Sequence, residues 1–451
     1  MGKTYNITCE KVDQEGKGVF TFNGRKFAVP YLLDTEKASI SLIYGKNETG
    51  ARIEEIRKPS ADRVEPVCPY YMQCGGCDMM HMKYERQLAI KEEHVSGVLA
   101  KRIAQDRTEV LPILASEQPL GYRNKIHNTY AKVKGKVVSG LYAESTHRLM
   151  PLPGGCKIEN PAAAGVLKTI CEFANEKHIF VYDEDRRDGL LRHVLIRVAS
   201  DGSMMVVPVV AERIFPEKHA LAEAIVKKHP QVKTVVLNYN SAPTTMVLGK
   251  REEILYGEGY ITERLCGCEF RISPRSFFQV NTTQTEKLYD AAISMAAIKP
   301  GERVIDAYSG TGTIAILAAR QAPQADIIGV ELNADAVQDA KNNAFCNHIP
   351  NVSWICGDAG EYMTGAAVRK EKADVLFMDP PRSGSSPAFF KAVRKLLPKR
   401  IVYISCNPDT LARDLNTLGN AYRLEKVQPV DMFCQSHHVE TVCLLSRKAP
   451  V

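Results

Sequence analysis

The sequence predicts an α/β protein whose C-terminal part is a Rossmann-like, doubly wound parallel sheet, preceded by a small OB-like β-barrel and a central α+β region. Three observations predict this. Residues 1–58 hold short, closely spaced strands with Gly-containing turns, residues 59–265 mix strands and helices, and residues 266–451 alternate the two, as parallel strands joined by crossover helices must. At 451 residues the chain exceeds what one ordinary core organises, so several domains are expected.

In the first region TYNITCEKV, GVFTFNG, RKFAVPYLL, ASISLIYG and GARIEEIRK read as strands, and KPSADRVEP as a linker. In the second, YERQLAIKEEHVSGVLAKRI has helical periodicity. NTYAKVKGKVVSGLYA and RHVLIRVASDGSMMVVPVV read as strand pairs turning at Lys134-Gly135 and Asp201-Gly202. GYRNKIHNTYAKVKGK interleaves aromatic and basic residues, a surface able to hold phosphates and stack bases, although a solvated basic face has the same composition. In the third, strands RVIDAY, DIIGVE, VSWICG, DVLFMD and RIVYIS alternate with helices such as TGTIAILAARQ, ADAVQDAKNNAFCN and AFFKAVRKLL.

A net charge of +7 and a pI near 8.6 permit a nucleic-acid partner without demanding one. No segment reads as a secretory signal or membrane span, and Gly2 is followed by Asn6 where a myristoylation signal needs Ser or Thr. A cytoplasmic protein is expected. Thirteen cysteines, an odd number, argue against a disulfide framework, so clustered thiols are read as metal ligands or catalysts. CPYYMQCGGC sets Cys68, Cys74 and Cys77 close together, and Cys156 lies in a comparable Gly-rich loop, PGGCKIE. Such thiols suit zinc and iron–sulfur alike.

Strand RVIDAY runs through Asp306, Tyr308, Ser309, Gly310, Thr311 and Gly312 straight into a helix, and Glu331 closes the next strand at the interval expected of an acid that binds ribose hydroxyls. A dinucleotide and S-adenosylmethionine both fit. The loop is not a full GxGxxG, and the fourth strand ends in Asp379-Pro380-Pro381-Arg382, a rigid acidic turn suited to framing a nucleobase beside a methyl donor. Methyl transfer is the expected reaction. In VYISCNPDTLARD, Pro408 ends the strand and leaves Cys406 on its rim, where a thiol is either small apolar filling or a reactive group.

The motifs SFFQVN, DAYSGTGT, DPPRSG, YISCNPDTLARD and HHVETVCLL together resemble the RNA (uracil-5-)-methyltransferases over essentially the whole chain. The closest likeness is to the bacterial 23S ribosomal RNA type with an N-terminal TRAM domain and an iron–sulfur cluster. The resemblance implies a class I methyltransferase domain at 266–451, a TRAM domain at 1–58 and a cluster-bearing, RNA-binding domain at 59–265. It makes Cys406 the nucleophile and Glu440 the general base. It assigns S-adenosylmethionine contacts to Gln279, Tyr308, Thr313, Glu331, Asp358 and Asp379. A [4Fe–4S] cluster falls to Cys68, Cys74, Cys77 and Cys156. One departure is Cys434, where the family often has proline.

The chemistry explains these residue types. A thiolate adding to uracil C6 gives C5 the carbanion character needed to accept a methyl, and a carboxylate then removes the C5 proton so that the thiolate can leave. The thiol is therefore expected to be partly ionised, and the uridine unstacked. The competing readings are an RNA cytosine-5 methyltransferase, a transfer RNA enzyme, and an RNA-binding iron–sulfur protein without catalysis. The first usually carries Pro-Cys-Ser where this chain has Pro381-Arg382-Ser383. A monomer is the default expectation.

Overall fold

The computed structural model describes residues 4–44, 49–144, 146–212, 214–244 and 246–449; Gly2, and Gly45 at the end of one expected strand, lie outside them. The N-terminal strands are β1 (Thr4–Thr8), β2 (Lys11–Val12), β3 (Gly18–Phe22), β4 (Arg25–Val29), β5 (Lys37–Tyr44) and β6 (Thr49–Lys58). They form two three-stranded sheets, β1-β5-β6 and β2-β3-β4, over one apolar cluster that includes Ile7, Phe20, Leu32 and Ile40. The segment TYNITCEKV, read as one strand, is two. Cys9 breaks it by exchanging backbone hydrogen bonds with the Thr35–Glu36 turn, which carries the chain between the sheets. Asn23 and Gly24, at φ 48° and 74°, turn β3 into β4 as a tight hairpin requires.

Helix α1 (Tyr84–Asp106) precedes β7 (Glu109–Val110), β8 (Lys125–Val133), β9 (Lys136–Tyr142), β10 (Leu149–Pro151), α2 (Ala162–Glu176), β11 (Leu191–Val198) and β12 (Met204–Val210). Then come α3 (Lys218–Lys228), β13 (Val232–Tyr239) and β14 (Arg251–Tyr256). The central sheet has the order β10-β9-β8-β11-β12-β13-β14, and its hairpins turn at Lys134-Gly135 and around Asp201-Gly202 as the sequence suggests.

The third sheet carries the expected alternation. After β15 (Ile261–Leu265), β16 (Cys268–Ile272) and α4 (Thr282–Ala296) come β17 (Arg303–Ala307), α5 (Thr313–Gln321), β18 (Asp326–Glu331), α6 (Ala334–Cys346) and β19 (Val352–Cys356). They are followed by α7 (Ala359–Val368), β20 (Val375–Met378), α8 (Pro387–Leu396), β21 (Arg400–Ser405), α9 (Pro408–Leu418), β22 (Tyr422–Val430) and β23 (Glu440–Arg447). The order is β19-β18-β17-β20-β21-β23-β22-β7. Strands β17 to β21 are parallel and wound both ways from β17, but β23 runs antiparallel to β21 and β22, so the sheet is mixed. The reversal follows from connectivity: no crossover helix separates β22 from β23.

Two further features depart from a simple three-segment chain. β7 pairs in parallel with β22, while α1 packs Val95 and Leu99 into the same cluster as Phe389, Leu411 and Tyr422, so part of the central segment covers the C-terminal sheet. Hairpin β15–β16 turns at Cys266-Gly267, across the expected 265/266 boundary. Its Ile261, Phe270 and Ile272 join Leu195 and Val207 of the central sheet and Leu288 and Ile316 of the C-terminal one in a continuous core.

Candidate active site

Position at the carboxyl ends of β17, β18 and β20 makes the first cavity, of about 560 Å³. Gln279, Tyr308, Thr313, Glu331 and Asp379 all line it. β17 ends at Ala307, and Tyr308 takes φ 69°, a strained value for a residue with a side chain that costs on the order of 1–3 kcal/mol. Its hydroxyl bonds Ser385 Oγ at 3.0 Å. Gly312, at φ 84°, opens α5; a Cβ there would stand 2.4 Å from the Trp354 ring, so the turn admits only glycine. Glu331 accepts from Gly310 N–H at 2.9 Å and Asn333 N–H at 2.8 Å, which fixes its carboxylate on the cavity wall. Below the loop, buried Asp306 accepts from Ser309 Oγ and Ala315 N–H, and burial pushes its carboxyl up to about 7. Asp358 differs. It caps α7 by accepting from Glu361 N–H at 2.9 Å and is not among the residues lining this cavity.

The second site lies where β21 meets α9. Asn407 caps α9 through Asp409 N–H and Thr410 N–H, Pro408 occupies its first turn, and Ser405 Oγ bonds both the N–H and the carbonyl of Asn407, with the half-buried Cys406 between them. In the antiparallel register Ser405 faces Thr441, which brings Cys406 and Glu440 to the adjoining ends of β21 and β23. Glu440 is buried; that burial, with the nearby Asp379 carboxylate, pushes its carboxyl up to about 8. Burial likewise raises Asp379 to about 7.

Cys406 shares a cavity of about 130 Å³ with Arg382, His94, His437 and His438, and with Glu15 of the β2–β3 loop. The thiol, which the sequence expects to be partly ionised, stands among groups that oppose its ionisation. Burial, then Glu440 and Asp379, push the thiol up to about 11, while the Arg382 charge and a backbone hydrogen bond pull the other way. His94 was invisible to sequence reasoning, since its helix lies more than 300 residues from Cys406 in the chain and only the packing of α1 on α9 brings them together.

The cysteines meet elsewhere. Cys68, Cys74, Cys77 and Cys156 line one cavity of about 750 Å³, backed by Tyr71, Met80 and Ile158. Among the described residues no group of three or more His, Cys, Asp or Glu is drawn together as a metal-ion site. The thiols nevertheless feel one another: burial, then Cys156, Cys74 and Cys68, push the Cys77 thiol up. Four thiols lining one cavity are a donor set whose chemistry fits a thiolate-bound metal group. Gly75 at φ 66° makes the turn, where a Cβ would fall 2.8 Å from Glu144.

A family model described as tRNA (Uracil-5-)-methyltransferase matches residues 245–448. An uncharacterized RNA methyltransferase of Oceanobacillus iheyensis is 39% identical over 98% of this chain and 96% of its own, and one of Caldanaerobacter subterraneus is 38% identical over 99% of each. The chain belongs to the RNA uracil-5-methyltransferase family. As a member it is an S-adenosylmethionine-dependent RNA methyltransferase of class I fold. The crystal structure of a Pyrococcus abyssi tRNA (uracil-54, C5)-methyltransferase with S-adenosyl-L-homocysteine shares that fold at a TM-score of 0.78, with 24% identity, across 98% of this chain and all of the other. The family member described here has no helix long and apolar enough to cross a membrane among its described residues.

Proposed function

We propose that this chain methylates uridine C5 in 23S ribosomal RNA, with Cys406 as nucleophile and Glu440 as base. The observation that carries the reading is the β21–β23 register, which sets a rim thiol beside a buried carboxyl. When bound in the first cavity, S-adenosylmethionine supplies the methyl group. Gln279, Tyr308, Thr313, Glu331 and Asp379 hold it, and Asp358 has a capping role.

Cys406 gives up its proton and its sulfur adds to C6. The C5=C6 electrons shift toward C5 and O4, C5 takes the methyl, and Glu440 removes the C5 proton so that the C6–S bond breaks and the double bond returns. A carboxyl raised toward neutral pH is a stronger base than an ordinary one, which suits Glu440 to that step. The uridine must leave its stack to reach a cavity walled by Arg382 and His438.

Residues 1–58 act as a TRAM-type RNA-binding domain, 59–265 as the cluster and RNA-binding domain, and 266–451 as the catalytic domain. The four cysteines bind a [4Fe–4S] cluster that holds the loop in shape, and the protein works as a cytoplasmic monomer. Anaerobically purified protein should contain iron and sulfide; equimolar zinc without sulfide would overturn the cluster.

Transfer RNA is the second reading, favoured by one observation: the Pyrococcus enzyme, named for a transfer RNA uridine, matches this chain over 98% of its length. The family resemblance, through residues 1–58 and the cysteine loop, favours ribosomal RNA. The deciding experiment is methyl transfer from labelled S-adenosylmethionine to unmodified 23S ribosomal RNA and to transfer RNA. Label as 5-methyluridine in ribosomal RNA alone supports the first reading, label in transfer RNA alone the second. No label in either RNA would leave an RNA-binding iron–sulfur protein without catalysis.

A further inference from the structure

Contacts run from the cysteine loop to Arg382, which shares a cavity with Cys406. Cys77 is followed by Asp78, whose carboxylate accepts from His437 Nδ1–H at 2.7 Å and from the His437 backbone N–H at 3.3 Å. The backbone N–H groups of Asp78 and Met79 both donate to the Gln435 carbonyl at 3.0 Å. Gln435 has φ 69°, so the segment before Glu440 is held in a left-handed conformation that its own residue type disfavours. The His437 ring lies 4.2 Å, centroid to centroid, from His438, and Arg382 Nη2 donates to His438 Nδ1 at 3.4 Å.

Arg382 is exposed, and among the described residues this is the one hydrogen bond its side chain makes. A guanidinium on a flexible stem would otherwise sample many rotamers, so its place over the cavity depends on His438. That place matters because of what faces Cys406. Glu440 approaches from β23 and Asp379 from the end of β20, and both oppose a thiolate. His94, Asp409, Glu15, His437 and His438 complete the cavity, and Arg382 is the cation that acts on the sulfur. Asp78 itself lies outside the cavity wall.

We infer that Asp78 is a positioning residue for the nucleophile: by holding His437 it seats His438 against Arg382, and so fixes the guanidinium beside the Cys406 thiol. This rests on the reading of Cys406 as the nucleophile and adds that the cysteine loop governs how reactive that thiol is. The Asp78–His437 pair is then more than a surface contact, because its effect is delivered at a sulfur three steps away, through His438 and Arg382.

The test is alkylation of the full-length protein by iodoacetamide across a pH series, with labelling of the Cys406 peptide followed by mass spectrometry. Asp78→Ala should move the labelling profile up by about one pH unit, which is about tenfold slower at a fixed pH below the midpoint. Asp78→Asn keeps an oxygen that accepts from His437 and should stay within about twofold of wild type. His438→Ala breaks the chain beyond the cysteine loop and should shift the profile in the same direction, even where Asp78→Ala fails to fold. Wild-type profiles in folded Asp78→Ala and His438→Ala, or an equal shift in Asp78→Asn, would overturn the inference. Alkylation uses neither RNA nor methyl donor, so failure of methyl transfer in the wild type would remove the proposed reaction while leaving this result readable.

Discussion

Ser405 and Thr441 face each other across β21 and β23, and the next residue on one strand and the preceding one on the other are Cys406 and Glu440. In the proposed reaction, addition to C6 and proton removal at C5 are served from these two adjacent strand ends. Cys406→Ala should abolish methyl transfer and any covalent complex with 5-fluorouridine-substituted RNA. Glu440→Gln should still add and methylate but release product at least about 100-fold more slowly. A covalent protein–RNA species surviving denaturing gels in Glu440→Gln checks this; turnover at the wild-type rate would assign the base elsewhere.

The pH dependence follows from the raised carboxyl. Glu440 must be ionised to take a proton, and its pKa is pushed up to about 8, so the product-release rate should climb as pH rises through that value. Single-turnover kinetics on preformed adduct would show it. A rate that is flat from pH 6 to 9 would contradict it.

Stability carries the opposite sign. The folded protein holds the Glu440 proton up to about pH 8 while the unfolded chain loses it near the ordinary carboxyl value of 4.5, so stability falls as pH rises between those values. Glu440→Gln has no such penalty and should gain about 4 kcal/mol relative to wild type at pH 8 and almost nothing at pH 4. Thermal melts at both pH values decide it.

Glu331 and Asp358 should separate cleanly. Glu331→Ala removes the acid on the cofactor wall and should weaken S-adenosylmethionine binding at least about tenfold by calorimetry. Asp358→Ala should leave that affinity within about twofold and cost about 1 kcal/mol of stability, since it removes the α7 cap. Asp358 was assigned to the cofactor only by family resemblance, because a capping aspartate and a ligand aspartate look alike in sequence.

Lys91 and Asp431 form a wholly buried ion pair, supported by Tyr84 Oη–H donating to Asp431 at 2.6 Å. Lys91→Ala leaves the carboxylate without its cation and should destabilise the protein by about 3 kcal/mol in denaturant melts. Because Asp431 starts the segment leading to Glu440, methyl transfer should fall more steeply than stability alone explains.

The sequence by itself determined the local elements and the chemistry at their ends. The alternation of strands and helices marked β17 to β21 and their helices, glycines marked the loop at 310–312, and Pro408 marked the strand end with Cys406 on its rim. Each is a property of a few consecutive residues. The tertiary structure decided what depends on distant pairing. The antiparallel insertion of β23, the parallel docking of β7, the placement of His94 beside Cys406 and the link from Asp78 to His437 each join residues far apart in the chain. It also decided charge: burial beside Glu440 and Asp379 raises a thiol that the motif alone suggested was ionised. No local pattern encodes these, because desolvation and long-range register are set by what the rest of the chain packs against.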